Sequence, residues 1–254
     1  IRHDLLSSIL LLFSVIFFGM LSFLIREPIV PAWTWYGLSI LVFVMLSLAA
    51  SRRLTDKWYP AFLPSVVSFS ILLLLSLIDI AFEQRVFVWV ATVLFYASLL
   101  GIYRLKLIPN DETARALLNT AALASLFFTY AAAYGLYLNY EVPLALLMLV
   151  IFLATGIVAF QTLYWAGRDD VREVLLGSVA LGMVMGELVW AMHFWPFGYL
   201  TIGAALLVFF YLLWRLTLDL LRGSVAKKRM LVEGVILLVL IALLLITSPW
   251  RMRA

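Results

Sequence analysis

Nine apolar runs, most of them about twenty residues long, follow one another along this chain with only short polar breaks between them. A helix of that length covers the roughly 30 Å hydrocarbon core of a bilayer, so each run reads as a transmembrane helix. The runs cover 5–25, 33–50, 61–82, 86–103, 114–138, 142–165, 172–195, 197–221 and 230–246. The expected fold is therefore all-α: a polytopic integral membrane helical bundle of about nine transmembrane helices. It forms a single domain over 1–254, with short loops and no soluble domain.

Composition supports this class and removes others. The chain is 66% hydrophobic and 13% charged, with a mean hydropathy of +1.11. A soluble domain carries about a quarter charged residues and would expose far less oil. The net charge of +4 would elsewhere suggest nucleic acid. Here it has a plainer cause, because basic residues collect in the loops of membrane proteins, and no nucleic-acid partner is expected. Zero cysteines leave no disulfide, thiolate metal site or redox pair. Only His3 and His193 carry imidazole, too few for a bis-histidine haem or multi-histidine zinc site, and no metal or cofactor is expected. The first run lacks a short apolar core and an A-x-A-like cleavage site, which favours a retained helix over a signal peptide.

Basic residues give the orientation. With nine spans, the N-terminus and the connections after spans two, four, six and eight share one side. That side holds 13 of the 18 Lys and Arg residues, among them Arg52, Arg53, Arg104, Lys106, Lys227 and Arg229. The opposite side holds Arg26, Arg85, Arg251 and Arg253, and Arg215 lies inside span eight. The expected protein sits in a bacterial-type cytoplasmic membrane, N-terminus in the cytoplasm and C-terminus outside. Seven of the tryptophans fall near span ends, as an aromatic belt requires, while Trp190 and Trp214 are expected to pack inside the bundle.

Between helices in lipid there is no hydrophobic drive, so small and polar residues decide which helices meet. Spans five and seven, rich in Ala, Gly, Ser and Thr, should form the centre with span six beside them. Spans one, four and nine, nearly pure Leu, Ile, Val and Phe, should face lipid. The polar pattern of spans five to eight has no counterpart in spans one to four, which counts against an inverted-repeat transporter.

Candidate chemistry centres on the stretch 171–195, VREVLLGSVALGMVMGELVWAMHFW. Gly182 and Gly186 form a small-xxx-small pair that lets two helices approach backbone to backbone. Ser178, Gly182, Gly186 and His193 share a stripe, and Glu187 points to the neighbouring face, roughly 5 Å outward of the span's middle. A carboxylate at that depth is costly in lipid and is expected to face the protein interior or a water-filled cavity. Tyr130, Tyr134 and Tyr137 form an i, i+4, i+7 stripe in the outer half of span five, and Asp79 lies near the outer end of span three. Together with His193 these residues suggest a small outward-facing polar cavity, floored by Glu187 and walled by tyrosines, that binds a substrate or ion. Each has a plainer role beside it: a hydrogen bond to a neighbouring helix for Glu187, an interfacial position for His193, an ion pair for Asp79, packing for the tyrosines.

Absences narrow the function. Every lysine lies in a cytoplasmic loop or at a helix end, which excludes a retinal Schiff base, and no H-E-x-x-H, G-x-S-x-G or phosphate-gripping glycine loop occurs. No catalytic residue is assigned, and a non-enzymatic protein is favoured. A small transporter or channel-like protein ranks first. A membrane scaffold or complex subunit ranks second, with the Gly182/Gly186 face binding a partner helix or a second copy in the bilayer. A membrane-embedded enzyme on a lipid-linked substrate ranks third.

Overall fold

Helices account for nearly all of the described backbone in the structure, a computed structural model that describes residues 2–26, 33–55, 59–108, 111–140, 142–166 and 170–222, with scattered positions between 232 and 246. Among the described residues there are eight α-helices and no strand: α1 (Arg2–Arg26), α2 (Trp33–Thr55), α3 (Phe62–Leu75), α4 (Ala81–Leu107), α5 (Glu112–Asn139), α6 (Leu144–Trp165), α7 (Val171–Met192) and α8 (Tyr199–Arg222). All but α3 are long and apolar enough to cross a membrane, which gives seven such helices. Of the expected ninth run, 230–246, nine positions lie outside the described residues, and the eight that are described are helical.

The third and fourth runs differ from expectation. The helix break falls at Ser76–Ile80, and Glu83, Gln84 and Arg85, expected to form the turn, instead belong to the first turns of α4. Oily residues make this turn, so hydropathy alone hides it. Its backbone is closed by tight bonds, Leu77 N–H to Leu74 O (3.0 Å) and Ile78 N–H to Leu75 O (3.3 Å). The Gln84 amide donates to Ile78 O at 2.6 Å and holds it from the other side. At 14 residues α3 is about 21 Å long, short for a bilayer crossing. Ten of those residues are buried, so its surroundings are other helices more than lipid.

Two compact units are distinguished, 1–125 and 126–254, with the division inside α5. In the first, Phe17 of α1 stacks on Phe95 of α4 (centroids 4.1 Å apart) and meets Phe43 of α2 edge-on. The Ser47 and Ser68 hydroxyls, 2.9 Å apart, tie α2 to α3. Lys106 donates its ammonium to Leu54 O at 2.9 Å, which places the C-terminal ends of α2 and α4 side by side with a cation on the carbonyl end of a helix. Gly101 admits α5: a Cβ there would meet Leu118 Cγ at 2.7 Å. Span four was expected to face lipid, yet 44% of α4 is buried, more than of α1 or α2. Aromatic stacking and the close approach at Gly101 help bring it inward.

α5 opens on an Asp111 cap whose carboxylate accepts from Thr113 N–H (2.9 Å) and Ala114 N–H (3.2 Å) and pairs with Arg104 at 2.8 Å. Desolvation works to raise this carboxyl, but the Ala114 N–H bond, the Arg104 charge and the Thr113 N–H bond together outweigh it and hold it below the ordinary carboxylate value. In the second unit α6 and α7 form the most extensive contact. Gly203 of α8 lies against α5, where a Cβ would stand 2.9 Å from Ala131 N. Trp214 donates its indole N–H to Thr162 Oγ1 at 3.0 Å, joining α8 to α6. Embedded hydroxyls mostly turn onto their own helix: Ser14 to Leu10 O, Ser68 to Pro64 O, Thr92 to Val88 O, Ser125 to Ala122 O, Ser178 to Leu175 O and Thr217 to Leu213 O, all within 3.0 Å.

Candidate functional site

The stripe of Ser178, Gly182 and Gly186 lies buried against α6. A Cβ on Gly182 would sit 2.8 Å from Phe152 O, and one on Gly186 would sit 3.5 Å from Met148 O. On the facing helix, a Cβ on Gly156 would lie 3.8 Å from Ser178 O. Glycines on both helices thus bring the two backbones together. The face expected to receive a partner is already occupied from within the chain.

The tyrosine stripe fastens α5 to the same pair. Tyr130, fully buried, shares a hydrogen bond with Thr155 Oγ1 of α6 at 2.7 Å. One turn on, Tyr134 donates to Met192 O at 3.1 Å, where α7 runs out of helical donors for its last carbonyls. Tyr137 lies 2.9 Å from His193 Nδ1, with the two rings edge to face at 5.3 Å. His193 itself closes the C-terminus of α7, its N–H on Val189 O. A fourth group continues the pattern at the other end of α6, where Thr162 receives Trp214. The sequence analysis placed Trp214 in the bundle, although nothing in the sequence paired it with Thr162.

Four of the six candidate binding residues therefore come together: Tyr130, Tyr134, Tyr137 and His193. Glu187 does not join them. It is exposed on α7 beside exposed Met183 and Trp190, which corrects the expectation that it faces the interior or floors a cavity. The reason is angular: at about 100° per residue, Glu187 lies about 180° from Ser178 and about 140° from Gly182. Once the glycine stripe meets α6, the acid must emerge on the far side, a result the residue spacing already contained. Trp190, expected inside, is 56% exposed and stands edge-on to Phe194. Asp79 belongs to the first unit and is exposed in the turn between α3 and α4. Among the described residues no group of three or more acids and histidines is placed to hold a metal ion.

Chemically, this cluster is a set of helix-to-helix hydrogen bonds. Its hydroxyls are engaged by Thr155, Met192 and His193, and the arrangement fixes the ends of α5 and α7 against each other. The outer face of α7 is different in kind. Leu176, Ala180, Met183, Glu187, Trp190 and Phe194 are all exposed, and their spacing alternates four and three. That is the seam spacing of a left-handed helix pair, with one acid among apolar neighbours.

Residues 37–248 match a family described as a protein of unknown function, DUF5656. No curated protein and no solved structure matches the chain.

Proposed function

We propose that this chain, which belongs to the DUF5656 family, is a non-enzymatic subunit of a membrane assembly that meets a second membrane helix along the outer face of α7. One observation carries the proposal: Glu187 is exposed on an apolar face within a span. It lies about 8 Å from the middle of α7 and about as far from its C-terminal end. An ionised carboxylate facing acyl chains costs about 2.5–3.5 kcal/mol at a span's centre and less toward its ends, and a donor on a neighbouring helix offsets that. A single polar residue on an otherwise apolar seam also fixes register and partner choice. The Gly182/Gly186 face is not the docking surface, because α6 fills it.

Transport through a cavity floored by Glu187 loses its floor, and the tyrosines that would wall it are bonded between helices. An enzyme on a lipid-linked substrate would find no carboxylate in the cluster, and its one imidazole is bonded to Tyr137. The N-terminus in the cytoplasm remains part of the proposal. It is supported by the basic-residue asymmetry and by Lys106 and Leu54 lying at one end of the first unit.

The chain has no cysteine, so a single introduced thiol reports cleanly. Met183→Cys carrying a benzophenone maleimide, illuminated in native membranes, is expected to give a discrete protein cross-link. The cross-link should persist with Glu187→Gln and fall away with Glu187→Leu. Leu149→Cys, exposed on α6, serves as the control. Lipid adducts alone from Met183→Cys, as from the control, would sink the proposal.

A further inference from the structure

A second surface, in the first unit, points to a different ligand. Residues of α1 and α4 line a groove with two parts, both bordered by Phe18 and Trp89, whose rings lie 4.6 Å apart. One part, about 330 Å³, runs past Leu11, Val15, Val93 and Tyr96 and is apolar. Two hydroxyls that line it do not change this, because Ser14 and Thr92 are turned onto their own helices at 3.0 and 2.8 Å. The other part, about 750 Å³, is more polar and is bounded by Gly19, Ser22, Ile25 and Arg85. Gly19 opens it, since a Cβ there would meet nothing within 4 Å.

Arg85 gives this end its charge. Its Nε donates to Ala81 O at 3.3 Å, and among the described residues no carboxylate pairs with the guanidinium. Asp79 and Glu83 do not line the groove. From Leu11 to Ile25 the groove follows α1 for about 21 Å, the depth of one leaflet (about 15 Å of hydrocarbon) plus the headgroup level. An apolar trough one leaflet deep, with a hydroxyl at its mouth and a cation that meets no carboxylate among the described residues, is complementary to one kind of molecule.

We infer that the α1/α4 groove holds a single phospholipid of net negative charge, its acyl chain lying along Leu11, Val15 and Val93 and its phosphate on Arg85. Arginine suits this role, because its planar donor fork matches phosphate oxygens two at a time. The assignment is independent of α7 and of the membrane partner proposed for it.

Native mass spectrometry of the full chain, delipidated in mild detergent and titrated with phosphatidylglycerol or phosphatidylcholine, tests it. The wild type is expected to bind one phosphatidylglycerol with about tenfold preference, the scale of one charge-assisted contact. Arg85→Gln should bind both lipids equally. Gly19→Leu, which fills open space and leaves the stack untouched, should weaken both. An unchanged preference in Arg85→Gln, or unchanged binding of both lipids by a folded Gly19→Leu, overturns the assignment.

Discussion

Gly182→Ala adds one carbon at the tightest point of the α6/α7 contact, and the structure sets the size of the effect. The new Cβ would stand 2.8 Å from Phe152 O and 3.0 and 3.3 Å from two of that ring's carbons. Non-bonded carbon contacts are optimal near 3.5–4.0 Å, so the helices must separate by about half an ångström or more. The ring can rotate away, but the carbonyl cannot, because it accepts the next turn's N–H within α6. A gap of that size forfeits a quarter or more of each dispersion contact along the seam, and overpacking of this kind typically costs about 1–3 kcal/mol. Alanine's better helix propensity returns about 0.5–1 kcal/mol, leaving a net loss on the order of 1–2 kcal/mol. Gly186→Ala has the opposite balance: its Cβ meets Met148 O at an ordinary 3.5 Å, so only the propensity gain remains. Unfolding of the full chain by steric trapping or detergent titration should place Gly182→Ala below wild type and Gly186→Ala at or slightly above it. Phe152→Ala should not rescue Gly182→Ala, since the carbonyl stays. Equal stabilities for the two alanine variants, or the reverse order, would refute the reasoning.

Two more outcomes follow from the same geometry. A double-mutant cycle on Tyr130→Phe and Thr155→Val should give a coupling of about 0.5–1 kcal/mol, typical of a hydrogen bond between membrane helices, and strict additivity would show the 2.7 Å contact to be energetically idle. Asp111 is held below its ordinary value of 3.8, so its contribution is complete above that value and is lost as pH falls through the depressed one. Asp111→Asn keeps a capping side chain but loses the charge. Its deficit against wild type at pH 7 should therefore shrink and close in acid, and a deficit unchanged at pH 3 would contradict the assignment.

Much of the architecture was legible because bilayer thickness imposes length. Runs 5–25, 142–165 and 172–195 became helices within a few residues of their expected bounds. The turn after Leu75 was not legible, since Leu77, Ile78 and Ile80 carry the same hydropathy as the helices they separate. Neither was the burial of α4, because polarity was taken as the sign of an inner helix and Phe17–Phe95 stacking gives no such sign. At the candidate site the small-residue stripe and the tyrosine stripe were visible as periodicities. What periodicity withholds is the partner of each stripe. Assigning the glycine stripe to α6 moves Glu187 outward by rotation alone.

The self-bonded serines and threonines have a bearing on permeation. A proton relay works by handing hydrogen from one oxygen to the next, so each hydroxyl along it must be free to swing. Ser125, Thr162 and Ser178 each hold their hydrogen on a carbonyl a turn earlier in the same rod, and swinging away forfeits about 1 kcal/mol apiece. These alcohols lend the helices a hydrophilic composition while each keeps its own hydrogen on the backbone of its helix. Such rods are suited to lying still beside one another.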